Sequence, residues 1–156
     1  MRLIVVSDSH GERWGFFNVV EEEASADVVY FLGDGFREYE ATVERYSDKK
    51  TFIGVQGNCD FGCSLPTKDI RSIENAKIYA THGFAERVKY GPYELEIAAR
   101  NNGCNLVLFG HTHQPTNYYK DGIYYFNPGS LRDGFYGVVD ITDKGIMCIR
   151  KTLHFS

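Results

Sequence analysis

Leu3-Ile4-Val5-Val6-Ser7-Asp8-Ser9-His10-Gly11 begins with four apolar residues and passes at once into a polar cluster closed by glycine. The same change of texture recurs four times. Residues 28–32 run into Gly33-Asp34-Gly35, and residues 51–55 into Gln56-Gly57-Asn58-Cys59-Asp60. Residues 76–80 run into Thr81-His82-Gly83, and residues 106–109 into Gly110-His111-Thr112-His113. Four of these five runs are nearly continuous in apolar residues, the pattern of strands buried on both faces. Binding sites in open α/β sheets form beyond the carboxyl ends of the strands. If the five strands are parallel neighbours, all five clusters meet at one edge.

Helical patterns lie between the strands. Phe16, Val19, Val20 and Ala24 define one apolar face, Tyr39, Val43 and Tyr46 a second, and Leu95, Ala98 and Ala99 a third. Asn102-Gly103 is a helix stop. Beyond Phe109 the chain reads as hairpins. Residues 118–125 surround Asp121-Gly122, a pair suited to a two-residue turn, and residues 135–141 and 146–153 surround Asp143-Lys144-Gly145. The order predicts an α/β or α+β fold, with two mixed sheets face to face and helices outside.

The 156 residues suit a single domain, 1–156, and a chain of that size needs no disulfides to hold its core. Cys59, Cys63, Cys104 and Cys148 lack C-x-x-C spacing and read as idle thiols in a reducing compartment. The apolar run at the N-terminus is too short for a signal-peptide core or a membrane span, so the cytoplasm is expected. A net charge of −4 without a basic run removes the driving force for non-specific nucleic-acid binding. The 11 tyrosines and 11 phenylalanines are read as packing, although residues 118–125 would also suit a homo-oligomer interface.

Four of the five histidines fall in the strand-end clusters, and only His154 lies elsewhere. Imidazole, carboxylate and amide oxygen are ligands for divalent ions such as Zn, Mn or Fe. In Asp8-x-His10 and His111-x-His113 the two ligands share a face of an extended segment. Singly, the first four clusters are explained as turns, a helix cap or a satisfied histidine, and Gly110-His111-Thr112-His113 is sharper because two histidines on one face at a strand end rarely serve packing. Five in fixed order, each at a strand end, are not explained that way.

These residues resemble the calcineurin-like metallophosphoesterase superfamily, whose blocks run D-x-H, G-D, G-N-x-[DE], x-H-G and G-H-x-H. Asn127-Pro128-Gly129-Ser130 is similar to a further block of the small single-domain microbial phosphodiesterases, a branch that includes the retromer small subunit. The resemblance implies a four-layer αββα sandwich. It implies two divalent ions, with Mn first and Fe, Zn or Ni also suited. Asp8, His10 and His113 would hold one ion, Asn58, His82 and His111 the other, and Asp34 would bridge them. A hydroxide shared by such a pair attacks phosphorus in line, with Asp34, Asn58 and His82 as its immediate surroundings. Asp60 would orient a neighbouring ligand.

Cys59 departs from the many superfamily members that carry histidine there to protonate the leaving oxygen. An unperturbed thiol is a poorer match to that task at neutral pH than an imidazole, so esters with good leaving groups are expected to react best. Arg37 stands where purple acid phosphatases place a metal-binding tyrosine, and it reads as an exposed helix residue. The arginines of protein phosphatases are absent. The sequence thus points to a phosphodiesterase acting on a small diester. A phosphomonoesterase and a lapsed, protein-binding scaffold are the alternatives.

Overall fold

The computed structural model describes residues 1–153; His154 lies outside the described residues. The first half alternates strand and helix: β1 (Arg2–Val6), α1 (Arg13–Glu22), β2 (Val28–Phe31), α2 (Phe36–Tyr46) and β3 (Thr51–Gly54). Then come β4 (Lys68–Ile73), β5 (Ala76–Thr81), α3 (Tyr93–Asn101) and β6 (Leu106–Leu108). Two antiparallel pairs finish the chain: β7 (Thr116–Lys120) with β8 (Ile123–Asn127), and β9 (Phe135–Thr142) with β10 (Gly145–Thr152). Among the described residues, no helix is long and apolar enough to cross a membrane.

The strands form two five-stranded mixed sheets, ordered β10-β9-β1-β2-β3 and β4-β5-β6-β8-β7. Here the structure corrects the expectation of one common edge. The five strands divide, with β1, β2 and β3 parallel in the first sheet and β5 and β6 parallel in the second. The clusters still converge, because the two sheets stack. Leu3, Val5, Tyr30 and Val139 of the first sheet face Ile78, Leu106, Leu108 and Phe126 of the second in one buried layer. The alternate residues Ile4, Val6, Val29 and Phe31 face outward onto Phe16, Val19 and Val20 of α1 and Tyr39 of α2. Tyr79, Val107 and Tyr125 face outward onto Leu95 and Ala99 of α3. Period-2 alternation in strands buried on both faces therefore yields the four layers αββα.

Smaller departures have local causes. Ala24 is exposed and lies beyond α1; next to it, buried Glu23 pairs with Lys151 instead of continuing an apolar face. The strand β4 was not anticipated, because Lys-Asp-Ile-Arg-Ser-Ile is mostly polar. It is an edge strand, and edge strands carry charge against unwanted pairing; Asp69 and Arg71 form a two-point ion pair on it at 2.7 and 2.8 Å. Asp121 and Gly122 take the positive φ angles of 51° and 84° that the hairpin turn needs. In that hairpin Tyr125 is buried and stacks on Tyr118, whose hydroxyl donates to Glu96. Packing therefore accounts for most of its aromatic content.

Gly137 of β9 is the one inner-face position without a side chain opposite Phe126, and a Cβ there would meet the Phe126 ring Cζ at 2.5 Å. Phe126→Ala is expected to cost about 3–5 kcal/mol in urea unfolding. Gly137→Ala should cost about 1–3 kcal/mol by overpacking in the native chain, and markedly less in the Phe126→Ala background. Additive losses would show that the ring and the glycine are not partners.

Candidate metal centre

The chain turns sharply after β1, β2 and β6, where extended Asp8-x-His10 and His111-x-His113 segments were expected, and the backbone angles record the difference. Asp8, His10, Asp34, His111 and His113 all have positive φ, at 55°, 39°, 61°, 72° and 61°. Such values are uncommon outside glycine and concentrate at functional sites. The neighbouring glycines are needed for close approach. A Cβ on Gly110 would collide with Ser7 Oγ and sit 2.8 Å from Asp8 Oδ2, and one on Gly57 would lie 2.5 Å from the Asp34 backbone nitrogen.

Two triads result: Asp8, His10 and His113, and Asp34, His82 and His111, the ligand atoms of each lying within 4.8 Å of one another. His113 Nε2 is 3.2 Å and His10 Nε2 is 3.6 Å from Asp8 Oδ1. In the other triad, His82 Nε2 is 3.2 Å from Asp34 Oδ2 and 3.1 Å from His111 Nδ1. Asp34 Oδ2 also faces the first triad, 3.9 Å from His10 Nε2. Asp34 Oδ2 thus lies within 4 Å of a histidine from each group. Asn58 is exposed and its amide lies 3.7 Å from Cys59 Sγ; it lines the same depression as His82.

The donor set fits divalent cations on a specific observation. Asp8 Oδ1 is buried and has no hydrogen-bond partner, although the other oxygen of the same carboxylate accepts from Ser7 Oγ at 2.6 Å and from the His111 amide at 3.0 Å. A buried carboxylate oxygen is costly unless something positive meets it, and three imidazole nitrogens, of His113, His10 and His82, lie within 4 Å of it. Asp34 is divided in the same way. Its Oδ1 accepts the Cys59 amide at 2.8 Å, and Oδ2 is left to the cluster. His82 Nδ1 lies 2.7 Å from the Leu32 carbonyl, which selects the tautomer that presents a bare Nε2.

The electrostatics follow from this crowding. Burial alone would raise the Asp34 carboxyl, but the hydrogen bond and charge of His82 hold it down at about 2. Burial depresses His82 as well, yet Asp34 and Asp8 outweigh it and leave the imidazole above its ordinary value. Burial, His82 and Lys89 together push His111 down to about 4. Burial and the nearby Asp34 raise the Cys59 thiol.

The supporting frame includes residues that the sequence reading did not nominate. Asp60, the expected orienting residue, accepts the backbone amides of Asp34, Gly57, Gly35 and Phe36 at 2.8, 2.8, 2.9 and 3.0 Å, locking two ligand loops together. Glu38 accepts the Gly11 amide and ties the Asp8–His10 turn to α2; nothing in a helical Glu announces that role. Ser130 Oγ donates to the Asp8 carbonyl at 2.8 Å, and Asn127 Nδ2 donates to Gly110 O at 3.2 Å. Both belong to the Asn127-Pro128-Gly129-Ser130 block, so the signal was present. The reason it reaches the site is that β8 is parallel to β6 and ends at the same edge.

Known proteins resemble this chain in sequence and in fold. The model of the calcineurin-like phosphoesterase superfamily domain matches residues 1–144. The phosphodiesterase YfcE of Escherichia coli (strain K12) is 28% identical over 154 residues, covering 84% of this chain and 79% of its own. A conserved uncharacterized protein (predicted phosphoesterase) from Streptococcus pneumoniae TIGR4 superposes with a TM-score of 0.83 at 27% identity, covering 97% of this chain and 88% of that one. Wild-type Vps29 of Entamoeba histolytica, solved with Zn2+, shares the fold with a TM-score of 0.73 at 19% identity, covering 99% of this chain and all of its own (100%). With its ligand loops in the family's order and its domain model matched along most of its length, the chain belongs to the calcineurin-like phosphoesterase superfamily.

Proposed function

We propose that this chain is a phosphodiesterase that uses two divalent cations, manganese first among them, to hydrolyse a small diester. The observation that carries the diester reading is that two depressions border the ligand cluster, one at His10 and Asp34 and the other at Asn58 and His82. The larger, of about 360 Å³, is lined by His10, Asp34, Cys59 and Phe61. The smaller, of about 140 Å³, is lined by Asn58, His82, Thr67 and Phe84. A phosphate seated between the triads has room for an organic arm in each depression, whereas a monoester fills only one. The name of the Escherichia coli relative is in keeping with this.

Asp8, His10 and His113 would hold one ion, and His82, His111 and Asn58 the other, with Asp34 Oδ2 facing both. When bound, such a pair supplies a nucleophile from water at neutral pH and neutralises charge on the phosphoryl oxygens. The chain's own part is positioning. Asp60 and Glu38 fix the turns, and the Leu32 carbonyl sets the His82 tautomer. The Cys59 amide turns Asp34 so that one oxygen stays free. Each ligand position is filled by a competent residue, which supports the hydrolytic reading over a scaffold that has lost its ligands.

Chelator-stripped protein should fail to hydrolyse a chromogenic phosphate diester and regain activity when Mn2+, Fe2+, Zn2+ or Ni2+ is restored, with the diester preferred to the matching monoester. Absence of metal-stimulated turnover on both substrates would favour the scaffold. A second expectation concerns Cys59. Cys59→His should accelerate diesters with poorly acidic leaving alcohols most and flatten the dependence of rate on leaving-group acidity. An equal change across the series would remove Cys59 from the leaving-oxygen position.

A further inference from the structure

The larger depression has walls that the hydrolytic reading does not use. Besides His10 and Asp34 it is lined by Phe36, Arg37, Glu38, Cys59, Asp60 and Phe61. Its two outer carboxylates are largely engaged. Both Asp60 oxygens and one Glu38 oxygen accept backbone amides. An incoming group therefore meets chiefly the rings of Phe36 and Phe61, the exposed Arg37 guanidinium and the Cys59 thiol. Phe61 is 92% exposed. It forgoes the roughly 1.5–3 kcal/mol that burying such a ring provides, and it does so at the mouth of a cleft that opens on the metal ligands.

Resting on the phosphodiesterase reading, we infer that this cleft holds the leaving group and selects diesters whose departing alcohol is an aryl or heteroaryl hydroxyl, with Phe61 and Arg37 as specificity-determining residues. Two independent features converge on that class. Planar groups stack on exposed phenylalanine and guanidinium faces. The only imidazole in the cleft, His10, belongs to a metal triad, so the cleft offers the departing oxygen no free imidazolium. An alcohol that leaves as a stable anion suits such a wall. In the step, the phosphorus–oxygen bond to the aryl group breaks with its electron pair remaining on the aryl oxygen. The oxygen of water takes its place on phosphorus, and the released proton passes to solvent. The products are an aryloxide, beside Arg37, and a phosphate monoester of the other alcohol.

The test separates stacking from intrinsic leaving ability by pairing two substrates whose alcohols are similarly acidic. Methyl phenyl phosphate carries a ring, and methyl hexafluoroisopropyl phosphate does not. Mn2+-loaded native chain should prefer the phenyl ester in kcat/KM. Phe61→Ala should lower kcat/KM for the phenyl ester by about ten-fold, the scale of one lost aromatic stack, with the fluoroalkyl ester changed by less than about two-fold on that scale. Phe61→Trp should keep the preference. Equal losses on both esters, or no loss on either, would overturn the inference and leave the phosphodiesterase reading standing. Failure of the native, metal-loaded chain to hydrolyse either ester would remove both.

Discussion

Two carboxylates set the terms for this molecule. Asp8 and Asp34 are buried side by side at the ends of adjacent parallel strands, and each has one oxygen anchored by amide or hydroxyl donors. The other oxygens face four imidazoles, and Asp8 Oδ1 accepts nothing. Removing an ionised carboxylate from water costs several kcal/mol even after relaxation, so the rest of the fold has to hold the two acids in place. A cation entering there meets ligands that are already desolvated and aimed. Its binding energy then adds to the stability of the folded chain, because the unfolded chain offers no such cluster.

The backbone carries part of the same cost. Left-handed conformations disfavour residues with a Cβ by roughly 1–2 kcal/mol each, and five of the candidate ligand residues adopt them. The loops keep these angles because they are tied from behind. The Asp60 carboxylate takes four amides, Ser130 takes the Asp8 carbonyl, and the Asp8 amide donates to Gly33 O at 2.9 Å. The loops after β1, β2 and β3 are therefore one hydrogen-bonded unit, and a change at Asp60 is felt at Asp34 even though Asp60 touches no metal position.

Much of this was legible in the sequence, for physical reasons. Strands buried on both faces must be apolar throughout, so residues 3–6, 28–32 and 106–109 announced themselves, as did the His and Asp residues that interrupt them. What the one-dimensional pattern hid falls into two kinds. Edge structure such as β4 is polar by necessity and leaves no apolar trace. Supporting contacts such as Glu38 to the Gly11 amide join elements through side chains that look like ordinary surface residues. The aromatic rims were hidden as well. Phe61 and Phe84 counted toward core richness, and only their exposure, 92% and 59%, separates them from Phe16 or Phe126.

The division of these strands between two sheets, which local pattern does not specify, is what brings the two candidate triads close together. Neighbouring strands in a sheet lie about 4.8 Å apart, so five ligand loops along one edge would spread over roughly 19 Å. Each triad here draws on both sheets: Asp8 and His10 from the first with His113 from the second, and Asp34 from the first with His82 and His111 from the second. The reach across the site is then governed by the thickness of the apolar layer between the sheets. In that layer the Phe126 ring packs against the bare face of Gly137. Close packing makes such a spacing stiff. It follows that residues of the inner layer, remote from the strand-end clusters, hold the separation of the candidate metal ligands.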